Sequence, residues 1–307
     1  MDIVDLHTHT YPRAEIGRQA MGRDGWSPYA GTLPELREAM TRAGIAAAVM
    51  VNLTPIPEMR EAALARLPAD LTEGERRAAE ARLHDELRGR LVRRNRWTLE
   101  SASADPTLIP FIRLDPSVMS PSAMRDELEA CVDAGARGVK VHPIVQRLAP
   151  GTAALWPIYE LCQELGLPVL FHSGFLGRSE WNALARPSAF ADVLEAFAGL
   201  RVVLAHLGRG YFDEAVALAE RFPQVVFDTC ATLTAADVAW RLPDEDAVAL
   251  IRRLGVARVC FGSDYPWYDP VADAARVAAL PRLTDPERAA ILGDNARRLL
   301  GPAAGAE

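Results

Sequence analysis

The chain has six histidines, and five of them stand where chemistry can be assembled. His7 and His9 form an HTH closing the apolar run DIVDLH (2–7). His142 ends RGVKVH (137–142), His172 lies in LPVLFHSG (167–174), and His206 lies in RVVLAHLG (201–208). The sixth, His84, falls in a charged stretch and is expected at the surface. Imidazole is a common metal ligand and the side chain that titrates nearest neutral pH. Five of them at equivalent positions point to a metal or acid–base centre rather than to scattered packing. Residues two apart on a strand face the same way, about 6–7 Å apart along it. His7 and His9 can thus aim two neutral nitrogens at one ion, which zinc would accept at about 2.0–2.1 Å. Asp264, in FGSDYPW, adds a carboxylate that can bind the ion and take a proton from its water.

Eight short apolar runs must position these groups: 2–7, 45–53, 108–115, 137–142, 167–174, 201–208, 224–231 and 257–264. Near-continuous apolar runs suit parallel strands covered on both faces. Helical patterns fall between them. PELREAMTRAG stops at Gly44, Ser120 and Pro121 open the next helix, and Thr284 with Glu287 has capping-box spacing. Strand and helix alternating eight times predict a distorted (β/α)8 TIM barrel, a single domain over 1–307. A doubly wound sheet is the alternative, but no GxGxxG follows the first strand. Each candidate residue then lies at the C-terminal mouth of the barrel, and the eighth strand returns Asp264 to His7 and His9. Residues 57–104 break the alternation. They read as a helical insertion, opened by a Thr72–Glu75 capping box, forming an elaborated helix layer, a lid or a dimer contact.

Charged residues make up 24% of the chain and the net charge is −7, which argues against nucleic-acid or anionic-membrane partners. No run approaches the roughly 18 apolar residues of a membrane helix, and the N-terminus does not read as a signal peptide. Cys131, Cys162, Cys230 and Cys260 lie in apolar patterns without a CxxC, as reduced core thiols of a cytoplasmic protein would. A homodimer is the default oligomer.

HTH after the first strand, HSG after the fifth, AHLG after the sixth and GSDYPW after the eighth resemble the amidohydrolase superfamily. GVKVHP and DNARRLL resemble its amidohydrolase-2 branch, which includes aminocarboxymuconate-semialdehyde decarboxylase-like enzymes. The resemblance implies one divalent metal, usually zinc, on His7, His9, His172 and Asp264. It implies His206 as the histidine that polarises substrate or moves protons. Metal-activated water would attack an amide, lactone or ester carbonyl of a small molecule. Non-oxidative decarboxylation of an unsaturated or aromatic acid uses the same ligands and is the alternative. A metal-binding scaffold without turnover is a further one.

Lys140 shares a strand face with His142. In binuclear relatives a carboxylated lysine bridges two metals there. Otherwise Lys140 is a buried cation with Asp5 as candidate partner, or a substrate contact. His142 either bonds substrate or packs on Trp156 or Pro143. Arg13, Arg18, Arg23, Arg178 and Arg209 follow strand ends, and one or two of them would clamp a carboxylate. Trp26, Trp181 and Trp267 would wall an apolar pocket or pack the loops. Arg209 and Trp267 are the preferred substrate contacts of these two sets.

Overall fold

The computed structural model describes residues 2–22 and 27–301. Arg23 and Trp26, named above as a clamp and a wall, lie outside the described residues. The expected strands form as β1 (Ile3–His9), β2 (Ile45–Val51), β3 (Leu108–Ile112), β4 (Gly138–Val141), β5 (Pro168–Phe171), β6 (Arg201–Leu204), β7 (Val225–Asp228) and β8 (Val259–Cys260). They are parallel and lie side by side in sequence order. The seam between β8 and β1 closes through the N–H of Leu6 on the Phe261 carbonyl (2.9 Å) and that of Asp264 on the His7 carbonyl (2.8 Å). The architecture is a TIM barrel, and closing it sets Asp264 beside the HTH.

Two apolar layers hold it together. Val4, Leu6, Val49, Phe111, Leu170, Val203 and Cys260 fill the barrel interior. A larger cluster lies between the outer strand faces and the helices. Gly138 is required for the inner packing: a Cβ there would stand 2.4 Å from the Phe111 ring. The helix signals are used as written. Ser120 Oγ accepts from the Ala123 N–H, Thr72–Glu75 and Thr284–Glu287 are reciprocal capping boxes, and Gly44 ends its helix at φ 67°. Asn295, in the DNARRLL segment, donates to the carbonyls of Val256 (2.8 Å) and Val259 (2.7 Å) and so anchors the last helix to β8.

Residues 57–104 fold into the helices Ile56–Leu64 and Glu73–Ser103. The second buries Leu87, Leu91, Asn95, Thr98 and Leu99 against the barrel. Asn95, fully buried, accepts from the Arg113 N–H (3.0 Å) and the Asn52 amide (3.0 Å) and donates to the Arg113 carbonyl (2.9 Å). This half of the insertion is therefore the helix layer between β2 and β3, and the lid reading fails for it. Among the described residues, no helix is long and apolar enough to cross a membrane.

Candidate metal centre

β1 delivers His7 and His9 to the mouth, both buried, with their Nε2 atoms 3.2 Å apart. On its far side the His7 ring faces Asp228 at the end of β7, with Nδ1 3.0 Å from Oδ2. A carboxylate takes the N–H, so His7 Nε2 presents a lone pair. The turn after β8 brings Asp264 Oδ1 to 3.2 Å from His9 Nε2 and 3.8 Å from His7 Nε2. Two imidazole nitrogens and a carboxylate oxygen thus surround one point. Their separations are ones that bonds of about 2.0–2.2 Å to a single ion allow. Lone pairs facing each other across such a gap need a proton or a cation between them, so the donor set fits a divalent metal.

His206 and His172 form a relay beside this trio. His206 Nδ1 faces the sulfur (2.9 Å) and the carbonyl (3.3 Å) of Cys230. Its proton belongs there, which leaves Nε2 to accept from His172 Nδ1 at 3.0 Å. His172 Nε2 is then a buried lone pair without a partner. That is the form a ligand takes, although His172 does not join the 4.8 Å cluster of His7, His9 and Asp264. Burial, then the charge of Arg209, holds His206 and His172 well below the usual histidine range, so both are neutral near pH 7. Burial alone would raise the Asp264 carboxyl. The hydrogen bond with His9 and the charges around it hold it below its ordinary value, ionised. His206 (φ 64°) and Asp264 (φ 58°) are both non-glycine residues in the left-handed region. Arg147, Leu207, Ala231 and Arg282 share that region, so the strain is not confined to the site.

Lys140 reaches the same point. Its Nζ lies 3.1 Å from His7 Nε2, and burial lowers its pKa to about 8. The expected Asp5 pairing does not form, because Asp5 faces the seam and accepts from the N–H groups of His7 (3.1 Å) and Ser263 (3.0 Å). His142 stacks flat on His172 at 4.0 Å; Trp156, proposed as its packing partner, is instead 39% exposed against Phe197. Trp267 meets the His9 ring edge-on at 4.9 Å. Arg209 is buried, donates to the Phe175 carbonyl (2.8 Å) and lies over the Trp240 ring at 4.8 Å. Lys140, His142, Trp267 and Arg209 line one cavity of about 430 Å³ with the four other histidines and Asp264 of the centre, closed further by Met21, Leu53, Glu58 and Tyr268. Of the other arginines, Arg18 and Arg178 are exposed, and Arg13 lines a neighbouring cavity. Trp181 packs under Arg147 at 5.5 Å.

A model of the amidohydrolase family matches residues 4–301. The chain belongs to that family. No curated protein matches it. Among solved structures, a 2,6-dihydroxybenzoate decarboxylase from Rhizobium is similar at TM-score 0.70 and 16% identity, covering 98% of each chain. A dihydroxybenzoic acid decarboxylase from a Polaromonas species, with bound manganese and 2-nitroresorcinol, is similar at TM-score 0.66 and 18% identity, covering 97% of this chain and 96% of the other. A protein assigned as a 2-pyrone-4,6-dicarboxylic acid hydrolase from Pseudomonas putida is similar at TM-score 0.63 and 20% identity, covering 98% and 97%. At such identities the likeness is one of fold.

In this amidohydrolase two site residues escaped the sequence reading. Asp228 accepts from His7 Nδ1, from the His206 N–H (2.8 Å) and from the sulfur (2.7 Å) and N–H (3.2 Å) of Cys230. Cys230 is free and buried as expected, and its sulfur touches His7 Nδ1 (3.2 Å) as well as His206. The available signal was position, since Asp228 ends β7 at the rim that the histidines occupy.

Proposed function

We propose that this amidohydrolase is a metal-dependent hydrolase of a small molecule, opening an amide, lactone or ester carbonyl. It would hold one divalent ion, zinc, on His7, His9, His172 and Asp264. The observation carrying this reading is the meeting of His7 Nε2, His9 Nε2 and Asp264 Oδ1 around a single point. When bound, the ion would acidify a water and polarise the carbonyl. The residues supply the rest. Ionised Asp264, whose Oδ1 faces the His7–His9 pair, takes a proton at Oδ2 and returns it to the leaving group. Neutral His206 moves protons through Nε2, the nitrogen that accepts from His172 Nδ1, its ring held by Cys230. Trp267 and the stacked His142–His172 pair wall off water. Lys140 stays outside the ligand set as a donor to substrate.

Decarboxylation is the second reading. It is favoured by Arg209, a buried guanidinium on the cavity wall suited to a substrate carboxylate. Four free buried thiols suit a reducing compartment, and we assign the protein to the cytoplasm, as a homodimer.

Metal content per chain, on protein purified without chelator, tests the centre. About one zinc supports the assignment. About two brings in Lys140 as a carbamate bridge and His206 as a ligand. No metal, with no activity on adding it, overturns it. Release of CO2 from carboxylated substrates, set against turnover of lactones, esters and amides, separates the two reactions.

A further inference from the structure

Beside the metal-site cavity lies a second one of about 680 Å³, and the two share Ala20, Leu53, Pro55 and Glu58 on their linings. Its character is unlike the rest of this acidic chain. Arg13, Arg90, Arg93 and Arg94 line it, and among the described residues none of them is in a salt bridge. Glu58, on the shared wall, is its one acidic lining residue among those described. Arg94 is the built element. Its guanidinium sits over the Trp97 ring at 4.4 Å and the Tyr11 ring at 5.3 Å, and one nitrogen donates to the Thr10 carbonyl. The other terminal nitrogen, Nη1, is shielded from solvent with no hydrogen-bond partner, as is the hydroxyl of Tyr11. Burial lowers the Arg94 pKa, but only to about 10, so the cation persists at neutral pH.

Two orphaned donors, one of them charged, on a cavity wall are costly unless an acceptor arrives. Aromatic faces fix the guanidinium plane in advance, as bidentate capture of an anion requires. We infer that the Arg94–Tyr11 cavity is an anion subsite that takes the far carboxylate of an elongated, two-headed substrate whose other end reacts at the metal centre. The two cavities adjoin along that shared wall, and Glu58 there disfavours a charge of the same sign in the middle of the ligand. This inference deepens the proposed function and rests on it for the reacting end alone.

Calorimetric titration of the metal-loaded protein with adipate against hexanoate, and suberate against octanoate, tests it. Melting temperature and metal content serve as controls. At one chain length the dicarboxylate should bind about tenfold more tightly than its monocarboxylate partner. Arg94→Met should abolish that advantage with metal content unchanged. Arg94→Lys should restore part of it, and Tyr11→Phe, which keeps the ring, should reduce it. Equal binding of the paired acids, or an advantage that survives Arg94→Met, overturns the subsite. Arg94-dependent binding of inorganic phosphate without any dicarboxylate advantage also overturns the substrate arm, since the cavity would then serve a separate anion. Repeating the titration on metal-stripped protein separates the two readings. An Arg94-dependent advantage indifferent to metal keeps the subsite and counts against the metal centre.

Discussion

At His7 a single proton decides what the site can do. With Nδ1–H on Asp228, the opposite nitrogen is free to bind an ion; with the proton on Nε2 it is not. Asp228→Asn should therefore weaken metal binding by about 10–100-fold, the usual cost of losing such an outer partner. Competition with a chelator reads this directly, and unchanged affinity would mean that His7 is oriented by something else. His206→Asn should behave oppositely: metal retained, kcat down by about 10²–10⁴-fold, as removal of a proton-handling group implies. If that variant arrives without metal, His206 is itself a ligand. The ligand candidates were legible because histidine is rare here and each one falls at a strand end. Asp228 and Cys230 were not. An aspartate closing a strand looks like a helix cap, a cysteine in an apolar run looks like packing, and only the barrel's closure places both behind His7.

At the scale of elements, the strands were legible because a strand buried on both faces leaves an unbroken apolar run, and helix starts because Ser–Pro and Thr–x–x–Glu spell their own caps. The insertion was only half legible. Its charged N-terminal part reads correctly as a solvated face, but Asn95 sits among arginines in LVRRNRW with nothing local to mark it as buried. It is in fact the polar pin joining the long helix to β2 and β3, a role set by residues far away in sequence. Asn95→Ala would strand the Arg113 N–H and the Asn52 amide in the interior. We expect a loss of about 2–4 kcal/mol, from two unsatisfied buried groups at about 1–3 kcal/mol each with partial relaxation. A urea midpoint shift at constant slope measures it. A shift near zero would show that the helix is held by Leu87, Leu91 and Leu99 alone.

For the whole molecule, the pH dependence of stability should carry the signature of one buried carboxyl away from the metal ligands. Asp273, on the helix Pro270–Ala279 that follows β8, is 2% exposed. Its Oδ1 accepts from Thr234 Oγ1 (2.9 Å) and the Ala235 N–H (2.7 Å), which ties the loop after β7 to that helix, while Oδ2 has no partner. Burial, only partly offset by these two bonds and reinforced by the charges of Asp5 and Asp269, raises its pKa from 3.8 to about 7. A carboxyl raised on folding binds its proton more tightly in the native state. Its contribution is therefore fully present below about pH 4 and lost as pH rises to about 7, amounting to at most about 4 kcal/mol. Asp273→Asn keeps an acceptor oxygen for Thr234 and Ala235 and cannot ionise. Its stability relative to the parent should rise between pH 5 and pH 8, by guanidinium or thermal denaturation at the two pH values. The parent's own decline over that interval should become shallower in the variant, and the remainder belongs to Asp5, whose carboxyl burial also raises to about 7. Parallel pH profiles for the two proteins would mean that Asp273 ionises without penalty, and that water reaches Oδ2 in the native barrel.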